Sequence, residues 1–213
     1  MDGVLVENDF DQPHTRFGGA EVHAAMTRVT REVVARARVP VGVEVLLDDW
    51  RASLAIAAVT GARFIRIDFF VDHVLTKFGP FVPDPDAVLD YRRSMRADDV
   101  QMFVDLQVKY STPIGAPKSL EISAREAEEA GADAVIISGS ETGIGPSPND
   151  LRAARAGKLP VLIGSGLDPE NAASLFPLSD GAIVGTALRS GRTSKDRVVR
   201  AQVERLVRAV GSA

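Results

Sequence analysis

The sequence predicts an α/β chain folded as a (β/α)8-type barrel in which seven β-α units are visible and the first is lacking. Short runs rich in Val and Ile alternate with longer helical patterns, which implies a parallel sheet covered by helices. Several strands carry polar residues on one face instead of running apolar throughout, as the inside of a barrel allows and a doubly covered open sheet does not. Two consecutive strands near the end, at 161–165 and 182–185, finish in Gly, Ser or Thr, where helix N-termini of such barrels attract anions.

Taken in order, strands are expected at 4–7, 41–47, 64–70, 102–108, 134–138, 161–165 and 182–185. Helical patterns between them cover 20–38, 50–60, 120–130 and 195–210. Gly61 and Gly131 stand where two helices should end, and Asp168-Pro169-Glu170 supplies a cap, a first-turn proline and an early acid for another. Residues 76–85 (TKFGPFVPDP) carry three prolines between a strand and a helix and are expected as a loop over the barrel mouth. The chain opens directly on a strand, so the eighth strand belongs before Val4. Its absence predicts an open barrel, or a homo-oligomer that covers the unpaired strand edges.

A length of 213 residues fits one barrel domain spanning 1–213. The formal net charge of −4, with acids and bases interspersed, offers no cationic field for a nucleic acid or an anionic lipid surface. No apolar run is long enough to span a bilayer, so no membrane span is expected. Without Cys there are no disulfides, thiolate metal sites or thiol nucleophiles, and Met1-Asp2-Gly3 lacks the order of a signal peptide; the expectation is a cytoplasmic protein. Neither a Walker loop nor a GxGxxG fingerprint occurs, which argues against nucleotide hydrolysis and Rossmann-type cofactors.

The strand period of two sets Gly42, Glu44, Leu46 and Asp48 on one face, then Phe64, Arg66, Asp68 and Phe70, then Phe103, Asp105, Gln107 and Lys109. Helix-facing sides must be apolar, so these polar residues should point inward, and those near the strand C-terminal ends should reach the active-site face. Buried carboxylates must pair with Arg66 and Lys109, bind a cation or shift their pKa. Asp105 or Asp68 is expected as general acid or base. Lys109 is expected to stabilise negative charge or form a Schiff base, Glu44 to orient or protonate substrate, and Arg66 to be structural. Glu7, Asn8 and Gln107 are expected to bind substrate. The phosphate-binding set is Ser138, Gly139, Ser140, Thr142 and Gly143, then Gly164, Ser165 and Gly166, then Gly185 and Thr186, because glycine lets amides approach an anion and hydroxyls add donors. Glu141 would contact a sugar hydroxyl. His14, His23 and His73 show no ligand spacing, so no metal and no cofactor is expected, a divalent cation among the carboxylates being the alternative.

Six segments in order, DGVLVEND, AAMTRVTREV, VPVGVEVLLDD, SLAIAAVTGARFIRID, DAVIISGSETG and LPVLIGSG, resemble the BtpA/SgcQ family across nearly the whole chain. The resemblance implies a ribulose-phosphate-binding-type TIM barrel with an earlier β-α unit. It implies Val in place of Met1, which would be explained by a misplaced start; Asn at the positions of Glu44, Asp48 and Asp68; and His at Tyr110. The function it implies is an enzyme acting on a small phosphorylated sugar or nucleoside-like compound by acid/base chemistry, as an isomerase, lyase or glycosidase. The alternatives are a non-catalytic assembly or stability factor of the photosystem I biogenesis type, or a phosphometabolite sensor.

Overall fold

The structure is a computed structural model and describes residues 1–141, 143–191, 193 and 195–211. In chain order the elements are β1 (Val4–Glu7), α1 (Ala20–Arg36), β2 (Val41–Glu44), α2 (Trp50–Thr60), β3 (Phe64–Ile67), β4 (Val74–Thr76), β5 (Gly79–Phe81), α3 (Pro85–Ser94) and β6 (Gln101–Leu106). There follow β7 (Thr112–Pro113), α4 (Leu120–Glu129), β8 (Ala134–Ile137), α5 (Pro148–Ala154), β9 (Val161–Ile163), α6 (Ala172–Leu175), β10 (Gly181–Ala182) and α7 (Arg200–Gly211).

Seven strands form one curled parallel sheet in the order β1-β2-β3-β6-β8-β9-β10, so every principal strand lies beside its neighbour in sequence. Among the described residues β1 and β10 do not pair, and the barrel is open between them. The effect of that gap is visible in burial: all four residues of β1 are only half-covered, whereas all four of β2 are buried. The outward faces of the strands, including Val43, Ile65, Met102, Val135 and Ile163, share one core with Leu54, Ile56, Ala127 and Leu151 from the helices. Among the described residues no helix is long and apolar enough to cross a membrane.

Local sequence explains the element ends. Asp49 accepts from the Ala52 amide at 3.1 Å and starts α2, which Gly61 ends at φ +85°. Ser147 and Asp150 make a reciprocal capping box on α5, with Pro148 in its first turn. Asp168 plays a different part from the one expected: its Oδ1 accepts from Glu170 and Asn171 amides, both 3.0 Å away, and so caps a turn that precedes α6. The strands at 41–47, 64–70 and 102–108 stop three residues or so early, because the chain turns as it leaves the sheet.

Residues 76–85 are not a plain loop. β4 and β5 form an antiparallel hairpin, and β7 pairs with the other edge of β4, so a three-stranded sheet stands on the β3 and β6 ends. Its cover of Phe69, Val74 and Phe81 is a small second core, with the Phe69 and Phe81 rings stacked at 4.3 Å.

The lower interior is closed by rings. Phe64 and Phe103 stack with centroids 4.8 Å apart, and Gly42 makes room for them, since a Cβ there would sit 2.1 Å from a Phe64 ring carbon. Gly42→Ala should therefore cost about 1–3 kcal/mol through overpacking. Urea denaturation checks this, and Phe64→Leu in the same chain should recover part of the loss.

Candidate active site at the strand C-terminal ends

Above the aromatic layer one guanidinium organises the interior. In parallel register Glu7 lies beside Glu44 on β1 and β2, and Arg66 on β3 faces Phe103 on β6, which places Asp105 one inward position further along. Arg66 grips Asp105 with two hydrogen bonds, Nε to Oδ2 at 2.7 Å and Nη2 to Oδ1 at 3.0 Å. Its Nη1 donates to Glu7 at 3.3 Å and stands 3.7 Å from Glu44 Oε2. Such fork-to-fork pairing fixes direction as well as charge. The partner of Asp105 is thus Arg66, which sequence reading had set aside as merely structural.

Burial and crowding set the protonation. Glu44 is 2% exposed, and its desolvation, helped by the charges of Asp68 and Glu7, pushes its carboxyl well above the usual range against the pull of Arg66. Asp68, 8% exposed, is pushed up to about 6 by burial first, with Arg66 pulling down and Asp105 and Glu7 pushing up. Burial alone would lower Arg66; Asp105, Glu44 and Glu7 reverse this and raise its pKa, so the guanidinium stays charged. Glu44 lies within hydrogen-bond reach of both Glu7 and Asp68, so a proton on Glu44 can be shared with them. Neutral and ionised carboxyls side by side are the ordinary equipment of acid/base chemistry.

Asp48 sits at φ +71°, accepts from the Phe69 amide at 3.0 Å, and is raised by burial against that hydrogen bond. Asn8 is turned from substrate to scaffold: its Oδ1 accepts from Leu46 N at 2.7 Å and ties β1 to the turn after β2.

The alternation expected through Gln107 and Lys109 breaks at Gln107, which adopts φ +48°. Its amide donates to Asp72 at 2.8 Å, and its side chain turns away to Lys118 O at 3.1 Å. Asp72 also accepts from Ser123 at 2.7 Å and pairs with Lys118 at 3.0 Å, an interlock that holds the turn after β6 onto α4. Lys109 lies in that turn, half-buried, and is not carried inward by β6. The structure brings Glu44, Asp68, Asp105 and Glu7 together around Arg66 and turns the Gln107 side chain toward Lys118.

The glycine turns divide into two kinds. A Cβ on Gly139 would meet Ile144 O at 2.2 Å, so this glycine lets the β8–α5 loop close on itself, and one on Gly166, at φ +74°, would meet Gly145 N at 2.1 Å, so that glycine lets the turn after β9 pack backbone to backbone on the same loop. Gly143 and Gly185 face open space, and Ser140 and Glu141 are exposed. Thr186 opens the short 3-10 turn Thr186–Leu188, and Thr142 lies outside the described residues. Gly164 is closely packed: a Cβ there would be 2.5 Å from both Ile136 Cγ2 and Ser138 Oγ, and 3.7 Å from Arg66 Nη2. The Ser138 and Ser165 hydroxyls are buried and have no hydrogen-bond partner in the structure, nor has Glu44 Oε2. Among the described residues no three His, Asp or Glu side chains are placed to hold a metal ion.

The profile of the BtpA family matches residues 1–212. The chain belongs to the BtpA family. It is 35% identical over 192 residues to the Photosystem I biogenesis protein BtpA of Synechocystis, covering 89% of this chain and 67% of that protein. A second relative, from Archaeoglobus fulgidus, is 34% identical over 98% of this chain and 82% of its own. Solved barrels share the fold at low identity. Thiamine phosphate pyrophosphorylase from Pyrococcus furiosus superposes with a TM-score of 0.63 at 16% identity, over 99% of this chain and 96% of that one. A 3-hexulose-6-phosphate synthase reaches 0.60 at 17% identity, over 97% and 86%. This family member is therefore an α/β chain of TIM-barrel type with seven strands in its sheet.

Proposed function

We propose that the protein is a phosphate-binding barrel enzyme that acts on a small phosphorylated sugar or nucleoside-like compound by acid/base chemistry. The observation that carries this reading is the pair of orphaned hydroxyls, Ser138 and Ser165, on the ends of the adjacent strands β8 and β9. Buried polar atoms are nearly always satisfied, and two unsatisfied hydroxyls call for an acceptor that arrives with a ligand. The last strands of such barrels are the usual phosphate position. The names of the solved neighbours, a thiamine phosphate pyrophosphorylase and a hexulose-6-phosphate synthase, are consistent with it.

With phosphate held there, its binding energy orients the rest of the substrate toward Arg66 and the carboxyls, which lie close by: the position of a Cβ on Gly164 is 2.5 Å from Ser138 Oγ and 3.7 Å from Arg66 Nη2. Asp68 is the general acid or base, since a group titrating at about 6 exchanges its proton near neutrality. Glu44 holds a proton for it, and Arg66 fixes Asp105 and Glu7 in place. Lys109 and Gln107 keep at most a role from the rim of the mouth, and Glu7 remains a substrate contact.

Equilibrium dialysis with inorganic phosphate and ribose 5-phosphate tests the reading. Ser138→Ala with Ser165→Ala should weaken both ligands about tenfold, the loss of one or two hydrogen bonds to a charged group. No measurable binding at millimolar ligand, or equal binding by the double variant, would sink it.

A second reading, a non-catalytic assembly factor, draws on the name of the Synechocystis relative and on exposed apolar side chains. Phe10, Phe17, Val82, Tyr110 and Ile144 all lie in loops that follow sheet strands and so ring the mouth. Ligand binding without turnover across a phosphosugar panel, with protein capture abolished by Phe10→Ser and Phe17→Ser, would favour that reading.

A further inference from the structure

The interior holds four carboxyls, Glu7, Glu44, Asp68 and Asp105, around the one guanidinium of Arg66. That cation is largely spent: Nε and Nη2 serve Asp105, and Nη1 serves Glu7. Glu44 Oε2 stands 3.7 Å from Nη1, beyond hydrogen-bond distance, is fully enclosed and accepts no hydrogen bond. What the group lacks is a donor with several protons and positive charge.

The chemistry of candidate ligands narrows the choice. A phosphate is repelled by these acids. A metal ion finds no three ligands placed for it among the described residues. A hydroxyl brings one donor and leaves the remaining oxygens facing one another, whereas an ammonium brings three donors, no acceptor and the missing charge. Resting on the phosphate reading for the opposite end, we propose that the substrate is an amino phosphate ester, its phosphate at Ser138 and Ser165 and its protonated amine between Glu7, Glu44 and Asp68. The path is short: a Cβ at Gly164 would lie 2.5 Å from Ser138 Oγ and 3.7 Å from Arg66 Nη2, so the two ends of the site are neighbours.

The amine takes the place of the proton that Glu44 shares with its neighbours. Glu44 is faced by Glu7 from β1, by Arg66 from β3, by Asp68 just beyond β3 and, through Arg66, by Asp105 from β6; burial pushes its carboxyl up against the pull of Arg66. An arriving ammonium favours loss of that proton.

The test is calorimetric titration at pH 7.5 with matched ligand pairs, glucosamine 6-phosphate against glucose 6-phosphate and 2-aminoethyl phosphate against 2-hydroxyethyl phosphate, in two buffers of different ionisation enthalpy. At least one amine should bind about tenfold tighter than its hydroxyl counterpart, with a net release of protons that the hydroxyl ligand does not cause. Glu44→Gln should erase the difference within that pair, and Ser138→Ala should weaken both members alike; far-ultraviolet circular dichroism verifies the fold of each variant, and Asp68→Asn serves in place of Glu44→Gln if that chain does not fold. Equal affinity within both pairs, or a preference that survives Glu44→Gln, overturns the inference while the phosphate reading stands. An amine preference that depends on Glu44 but ignores Ser138→Ala, with no binding of inorganic phosphate, keeps the amine site and removes the phosphate site. Binding of none of these ligands overturns both.

Discussion

Arg66→Met should lower stability by about 3–5 kcal/mol, the ordinary loss when one partner of a buried ion pair is removed and the other charge stays behind. For a chain of this size that is a fall in melting temperature on the order of 10 °C. Asp105 is 3% exposed and takes two hydrogen bonds from this side chain, so no solvent replaces what is lost. Glu44, already carried above its usual range by burial, loses the one charge that lowers it. The combined change Arg66→Met with Asp105→Leu should recover most of the loss, because replacing both members by apolar side chains removes the uncompensated charge. Differential scanning calorimetry of the two variants checks this. A loss below about 1 kcal/mol for Arg66→Met would mean that the pair does not organise the interior.

The same arrangement shows how far a sequence can be followed. The period of two placed Glu44, Arg66 and Asp105 on inward faces correctly, because β2, β3 and β6 are regular up to those residues. It failed two positions later at Gln107, where positive φ reverses the chain and a tertiary partner, Asp72, rather than strand geometry decides direction. Lys109 therefore lies in that turn and not on β6. Residues 76–85 looked like a loop since strands of three residues, one containing Pro80, carry no periodic signal, and only their pairing with β7 makes them a sheet. Glycine-rich turns are ambiguous for a physical reason: Gly139, Gly164 and Gly166 are needed for close packing, whereas Gly143 and Gly185 face open space, and composition alone does not separate the two uses. Asn8 shows the same ambiguity, as a polar strand-end residue serves a neighbouring backbone as readily as a ligand.

Asp68→Asn should stabilise the protein at pH 7.5 and flatten its stability between about pH 4 and pH 6. The folded chain holds a proton on Asp68 up to about pH 6, while the unfolded chain releases it near its ordinary value of 3.8. Across that window the native state binds more protons, so its stability falls as pH rises, by about 1.4 kcal/mol per pH unit for this one group. Above pH 6 both states are ionised at Asp68 and the full penalty is present; below pH 4 it vanishes. The raised carboxyl of Glu44 contributes with the same sign. Asn removes the ionisable group and with it the penalty, while Arg66 keeps its two bonds to Asp105. Urea unfolding at intervals of half a pH unit reads the slope directly, and an unchanged slope in the variant would dismiss Asp68 as its source. Turnover, once a substrate is in hand, separates function from structure in the same variant. A general acid or base contributes about 10²–10⁴-fold, so under the proposed function the more stable Asn variant should lose that factor in kcat. A gain in stability with turnover intact would leave Asp68 as a strained structural acid and move the proton transfer to Glu44.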